Sequence, residues 1–333
     1  MSVRADNLIN HLSKWDHLRV AALAGGVGGA KMAHGFAQVL PPENLTIIVN
    51  TGDDFNHMGL RICPDIDTVC YTLAGLANPV TGWGRKDETW NALEGLERLR
   101  GLTWFRMGDR DLATHLERTR RLDQGEALSS IVQSFCEAWD VKQRVLPMTD
   151  QVMETWVDCE DEGWLPFQEY FVHQQCKPRV KGFQFKGYEA ARPAPGVIEA
   201  LESADVIIIC PSNPWVSIGP ILALPPVREL VGKKKAVAVS PIIGGQAIKG
   251  PAAKMYHELG IQPSALAVAQ QYQDFISGFV MDQVDQDLEE QISRMGIEVL
   301  TTEAIMKTTG DRRRLAIETL SFFETLDGRQ QAL

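Results

Sequence analysis

Residues 18–31, LRVAALAGGVGGAK, open with an apolar run that ends in paired glycines. A short run of this kind, closed by glycine, reads as a buried strand over 18–24 followed by a turn. Helical sequence follows over about 30–40, and a second apolar run, LTIIVN at 45–50, returns to the strand pattern. Nearly all-apolar strands separated by a helix indicate parallel pairing in a sheet covered on both faces. The pattern recurs at 204–210 (ADVIIIC), 236–240 (AVAVS) and 296–300 (GIEVL). The expected fold is α/β, Rossmann-like and doubly wound, with a mainly parallel sheet.

Between about 85 and 187 the pattern changes. Residues 87–100 and 124–141 have helical periodicity, while 155–159 and 167–172 read as strands. This stretch is expected to be an inserted lid region of mixed helices and strands. The core then comprises 18–84 and 188–330, and residues 1–17 form an N-terminal extension with no assigned role.

Composition narrows the function. With 44% hydrophobic and 23% charged residues, the 333-residue chain suits one large domain or a core with an insertion. Its net charge of -10 repels phosphodiester backbones and argues against a nucleic-acid partner. No apolar run approaches the roughly 20 residues that span a bilayer, and residues 1–17 lack the apolar core of a signal peptide. The six cysteines include no Cys-x-x-Cys pair, so free thiols in a reducing cytoplasm are expected rather than zinc or disulfides.

Open parallel sheets bind ligands beyond the carboxyl ends of their strands, and four loops there are unusual. The first contains Gly25, Gly26, Gly28, Gly29 and Lys31. Glycines between a strand and a helix let the backbone approach a phosphate seated on the helix N-terminus. The dinucleotide fingerprint fails, because its last glycine, counted from Gly26, is Lys31; the Walker pattern fails because no Ser or Thr follows Lys31. Phosphate binding is favoured over a plain tight turn.

The second loop, NTGDD at 50–54 running into GLRICPDIDT at 59–68, places Asp53, Asp54, Asp65 and Asp67 within fifteen residues. Magnesium is held by one or two carboxylates plus substrate phosphates, and Asp53 meets Asp65 if the loop folds back. As a set the acids favour a metal site. Singly, Asp53 and Asp54 equally suit an Asx turn, and Asp65 or Asp67 the cap of a helix starting near Pro64. Arg61 either contacts a phosphate or neutralises these acids.

The third loop is PSNP at 211–214, where Ser212 and Asn213 equally suit ligand contact or helix capping. No G-x-S-x-G elbow marks a serine nucleophile. The fourth, SPIIGGQAIKGP at 240–251, adds Gly244, Gly245 and Lys249. Two glycine-rich loops and one acidic loop at one sheet edge fit a substrate carrying a nucleotide and more than one phosphate. His57 and His115 are the histidines to watch, and Trp83, Trp90 and Trp104 suit ring stacking or the core.

These motifs, in order, resemble the 2-phospho-L-lactate transferases of deazaflavin coenzyme biosynthesis. The resemblance runs from about 20 to 322. It rests on GGVGGAK (25–31), NTGDD (50–54), GLRICPDIDT (59–68), GWGRKDETWN (82–91), MGDRDLATH (107–115), LPMTD (146–150), FQEYFV (167–172), PSNPWVSIGPIL (211–222) and SPIIGGQAIKGPA (240–252).

The resemblance implies transfer of a phospho-three-carbon-acid group (2-phospholactyl, phosphoenolpyruvyl or phosphoglyceryl) from a guanylyl-activated diphosphate donor. The acceptor is the terminal ribityl hydroxyl of 7,8-didemethyl-8-hydroxy-5-deazariboflavin, GMP leaves, and the step belongs to coenzyme F-420 biosynthesis. It further implies Mg2+ on Asp53 and Asp65, with Asp54 or Asp67 as a possible base. Guanosine is expected near 211–214 and 240–245, and the deazaflavin near Asn50, Thr51, Trp83 and Thr89. A cytoplasmic homodimer without nucleic-acid or membrane partners is expected. The rival is a non-catalytic nucleotide-sugar-binding regulator of the same fold, resembling the gluconeogenesis-factor proteins, whose acidic loop is richer in serine and glycine than 55–68 here. A nicotinamide-dependent dehydrogenase is disfavoured by the failed fingerprint.

Overall fold

A computed structural model describes residues 14–331, so residues 1–13 of the expected extension lie outside the described residues. The central sheet contains β1 (Val20–Ala24), β2 (Leu45–Val49), β3 (Arg144–Pro147), β4 (Val206–Ile209), β5 (Ala236–Val239), β6 (Gly278–Asp282) and β7 (Glu298–Thr302). All neighbours pair parallel, in the order β7-β6-β5-β4-β1-β2-β3. From the β3 edge the order is 3-2-1-4-5-6-7, which is the doubly wound Rossmann arrangement with one strand added.

Every residue of β1, β4, β5 and β6 is buried. Helices therefore cover both faces, and alternation of side chains divides each strand between two cores. In β1, Val20, Ala22 and Ala24 join Phe36 and Leu320 on one face, while Ala21 and Leu23 join Tyr256 and Phe279 on the other. Strand order reverses between β1 and β4, where Ala22 sits opposite Ile208. A crevice opens beyond the carboxyl ends of that pair.

Four local expectations need correction. The helix after β1, α1 (Gly26–Ala37), begins four residues earlier than expected, so most of the glycine loop is the first turn of a helix. Within the stretch assigned to the insertion, β3 pairs with β2 as the edge of the central sheet. It was illegible because only Val145 and Leu146 precede Pro147, and proline is tolerated at a sheet edge. The core thus takes 144–147, leaving inserted segments on either side.

Residues 167–172, expected as a strand, instead enter a helical turn, Glu169–His173. Phe167, Tyr170 and Phe171 recur at helical spacing, and Phe167 and Tyr170 are buried. The last strand is shifted two residues from the expected 296–300. The remaining inserted elements include the helices Asn91–Arg98 and Leu128–Ala138, and an antiparallel sheet with Glu154–Cys159 between Gly163–Pro166 and Val180–Lys186. Among the described residues no helix is long and apolar enough to cross a membrane.

Candidate active site

A cavity of about 620 Å³ lies at the switch point, beyond β1 and β4. Its floor includes Gly25, Gly26, Gly28 and Ser212. The glycines serve close approach. A Cβ on extended Gly25 would come within 2.5 Å of Asp65 Oδ2, and one on Gly28 would collide with the Pro211 carbonyl oxygen. Gly29 is packed against Ser212 beneath the floor, where a Cβ would lie 2.5 Å from its Oγ. The N-terminus of α1 consequently faces the cavity, with Lys31 one turn on.

Ser212 and Asn213 also line the cavity, and each has a structural task. The Ser212 hydroxyl donates to the Gly25 carbonyl at 2.8 Å and accepts from the Gly25 N–H at 3.1 Å. Asn213 Oδ1 accepts from the Trp215 and Val216 N–H groups, capping the turn Pro214–Ile218. The capping alternative for Asn213 is the one observed.

A hairpin, Phe55–His57 against Leu60–Ile62, folds the acidic loop back on itself. It brings Asp53 to Asp65, which sits in the first turn of α2 (Pro64–Leu73). Asn50 Nδ2 lies 3.0 Å from Asp53 Oδ1 and 3.0 Å from Asp65 Oδ2. Both acids line the cavity yet are only 6% and 5% exposed. Burial raises Asp53 well above the ordinary carboxylate range, with the Asp65 charge adding to it. Burial likewise pushes Asp65 up to about 6, against the Asn50 amide and the Gly26 N–H. Two carboxylates facing one cavity could hold a cation between them, and an all-oxygen pair would suit Mg2+.

The other two acids differ. Asp54 is buried behind the wall with Arg61 3.7 Å away, and burial pushes its carboxyl up to about 7. It is not among the residues lining the cavity. Arg61 is thus the neutralising partner, not a lining residue. Asp67 does line the cavity and is paired with the fully buried guanidinium of Arg118.

Arg118 stands on α3 (Asp109–Asp123) beside His115 and Asp111. His115 lies 3.7 Å from Asp67 and 3.4 Å from Asp111, whose Oδ1 accepts from the Tyr71 hydroxyl at 2.8 Å. The ligand atoms of Asp67, Asp111 and His115 fall within 4.8 Å of one another. The guanidinium already supplies positive charge to this group, which leaves little need for a cation there. Asp111, His115 and Arg118 fall on one face of α3 by their spacing of four and three residues. That periodicity was the sequence signal that would have found Arg118.

The cavity lining carries both cations and aromatic rings. Lys31 and Lys249 are the two lysines in it. Lys31 Nζ donates to the Met306 carbonyl at 2.8 Å, and burial, then Arg312 and Lys249, lower its pKa. Lys249 bonds the Thr81 carbonyl. Trp104, Phe105, Phe167 and Phe171 also line it. Trp104 is stacked on His173 at 5.0 Å between centroids and meets His57 edge-on at 4.9 Å. Trp83 lines the mouth and is 48% exposed, whereas Trp90 lies outside the wall beneath Arg106. Phe105, Phe167 and Phe171 were missed from the sequence because their segments gave no strand-end signal.

Several expected contacts are placed elsewhere. Among the described residues, Asn50, Thr51, Thr89, Gly244 and Gly245 do not line the cavity. Thr51 is buried, and the Thr89 hydroxyl donates to Asp109 at 2.6 Å. Gly244 and Gly245, at φ +56° and +75°, form the turn between Ile242–Ile243 and Gln246–Ala247. Such a turn needs left-handed backbone at both positions. The Gly244 N–H is occupied by the Asp285 carboxylate at 3.0 Å.

Comparison with known proteins supports this architecture. Two crystal structures of the Bacillus halodurans protein BH3568 share the fold. One has a TM-score of 0.59 at 15% identity, covering 86% of this chain and 92% of that one. The other, described as a UPF0052 family member, has a TM-score of 0.61 at 14% identity, covering 91% and 98%. A phosphoenolpyruvate transferase of Streptomyces griseus is 40% identical over 314 residues, covering 92% of this chain and 99% of the relative. One of Thermobifida fusca is 43% identical, covering 81% and 88%. A 2-phospho-L-lactate transferase of Methanosarcina barkeri is 36% identical, covering 91% and 98%. The profile of 2-phospho-L-lactate transferase CofD matches residues 20–314. The chain belongs to the 2-phospho-L-lactate transferase family and is a phosphorus-group transferase.

Proposed function

We propose that this enzyme moves a phospho-three-carbon-acid group from a guanylyl-activated diphosphate donor to the terminal ribityl hydroxyl of 7,8-didemethyl-8-hydroxy-5-deazariboflavin, releasing GMP. The observation that carries the reading is one cavity whose lining combines paired buried acids, two lysines and a group of aromatic rings. A donor with two phosphates and a carboxylate needs positive charge within a chain of net charge -10. Lys31, Lys249 and the N-terminus of α1 supply it. A planar tricyclic ring suits Trp104, Phe105, Phe167 and Phe171. Asp53 and Asp65 would hold Mg2+, which supplies charge neutralisation to the transferring phosphate and its leaving group.

The chain's own residues orient the reaction. The acceptor oxygen bonds to the phosphorus next to the acid, the bond to the guanylyl phosphate breaks, and GMP leaves with the bridging oxygen. Such displacement depends mainly on positioning and charge stabilisation. Of the two acids considered as bases, Asp67 is the one on the cavity wall. It is assigned as proton acceptor.

The relatives named phosphoenolpyruvate transferase support testing the phosphoenolpyruvyl donor first. The test supplies each of the three donors in turn with Mg2+ and the deazaflavin alcohol, followed by mass spectrometry. One phosphodiester formed faster than the others identifies the donor. Absence of every adduct despite nucleotide binding favours the regulatory alternative. The same reading places the enzyme in the cytoplasm as a homodimer, which sedimentation of the purified protein tests.

A further inference from the structure

Asn50, directly after β2, turns its side chain into the wall behind the acids rather than into the cavity. Its Nδ2 reaches three acceptors: Asp53 Oδ1 at 3.0 Å, Asp65 Oδ2 at 3.0 Å and the Val216 carbonyl at 3.2 Å. Its Oδ1 accepts from the Gly52 N–H at 2.8 Å. An amide has two N–H hydrogens and one carbonyl oxygen. Both N–H hydrogens are therefore engaged, and the side chain is 0% exposed. Its burial keeps it out of contact with an acceptor molecule.

The partners explain the placement. Asp53 comes from the loop after β2, Asp65 from α2, and Val216 from the turn after β4. One amide ties these three segments together at the point where two like charges are nearest. Gly52, whose N–H fixes the amide orientation, is itself crowded, since a Cβ there would lie 2.6 Å from Thr155 Oγ1. The amide is neutral, so it holds the acids in register without supplying the positive charge that would compete with a cation. A lysine or arginine in its place would neutralise the pair and close it to a metal.

We propose that Asn50 is a positioning residue, setting the spacing and orientation of the Asp53–Asp65 pair for a divalent cation. The inference rests on the reading of that pair as the cation site. Partners that orient metal ligands typically carry about 10–100-fold in metal affinity.

The test is Mn2+ binding to the purified full chain, followed by electron paramagnetic resonance of free Mn2+ without substrates. Binding of the deazaflavin alcohol is measured separately by fluorescence. Asn50→Ala is expected to weaken Mn2+ binding by about 10–100-fold and to leave metal-free acceptor binding unchanged. Raised Mn2+ then restores turnover towards that of the unaltered enzyme. Asn50→Ser, which keeps a shorter donor, is expected to fall between the two and also serves if the alanine variant fails to fold. Unchanged Mn2+ affinity in a folded variant, with weakened acceptor binding, would overturn the inference while leaving the cation site standing. No Mn2+ binding by the unaltered protein would overturn the cation reading and this inference with it.

Discussion

Replacing Arg118 by methionine tests whether the buried ion network is structural. Arg118 is 0% exposed, its guanidinium pairs with Asp67, and its Nη1 lies 3.3 Å from both the Arg61 carbonyl and His115 Nδ1. Burial opposes the charge on Arg118, but the surrounding groups, Asp67 first among them, together outweigh that penalty and keep the guanidinium protonated. Methionine keeps much of the apolar stem and leaves Asp67 buried without its countercharge. Removing one partner of a buried pair costs about 3–5 kcal/mol. Unfolding entropy of about 2.1 cal/mol/K per residue over 333 residues is about 0.7 kcal/mol/K. The expected fall in Tm is therefore roughly 4–7 °C, read by scanning calorimetry. The double variant Arg118→Met with Asp67→Leu removes the orphaned charge and is expected to recover most of the loss. A single variant within about 1 kcal/mol of the unaltered protein, or a double variant no more stable than the single, would refute the reasoning.

Asp53→Ala and Asp65→Ala are each expected to abolish turnover with the circular-dichroism spectrum retained; full activity in either removes the cation assignment. Gly28→Ala drives a Cβ into the Pro211 carbonyl, so urea unfolding is expected to show a loss of about 1–3 kcal/mol, and an unchanged midpoint contradicts the close-approach argument. Trp104→Ala is expected to raise KM for the deazaflavin alcohol more than KM for the donor, and the opposite ranking contradicts the assignment of the aromatic rings to the acceptor. The Thr89 hydroxyl, the Ala92 N–H and Asn91 hold Asp109 below the usual carboxylate range. Its charge therefore stabilises the fold above an ordinary carboxylate pKa of about 4, and that contribution is lost as pH falls through the depressed folded value. Asp109→Asn is accordingly expected to be less stable than the parent at neutral pH and to converge with it in strong acid; a pH-independent difference in urea midpoint contradicts this.

The parts of the fold legible in the sequence were those buried on both faces. The apolar runs of β1, β2, β4 and β5 left little choice of partner, because only a covered parallel sheet hides so many consecutive apolar side chains. By contrast, β3 has two buried apolar residues before its proline, a pattern shared with many loops. The aromatics at 167–171 satisfied two periodicities, and packing of Phe167 and Tyr170 decided for the helical turn. At the site, the acids were legible as a set because four carboxylates beyond one strand end are costly without a cation or a base. What the sequence lacked was direction. Asn50 and Asp53 are three residues apart, yet Asn50 points into the wall and Asp53 into the cavity. Likewise the two glycine clusters look alike in sequence. Gly25 and Gly28 admit close neighbours, whereas Gly244 and Gly245 turn a hairpin.

The most direct test of the proposed transfer is a single-turnover measurement with enzyme in excess over the phosphoenolpyruvyl donor and the deazaflavin alcohol. GMP and the phosphodiester are quantified from the same quenched samples, with and without Mg2+. The account predicts that both appear at the same rate in one-to-one yield, and that chelation of Mg2+ removes both. GMP released without phosphodiester, or phosphodiester formed at the same rate after chelation, would contradict it.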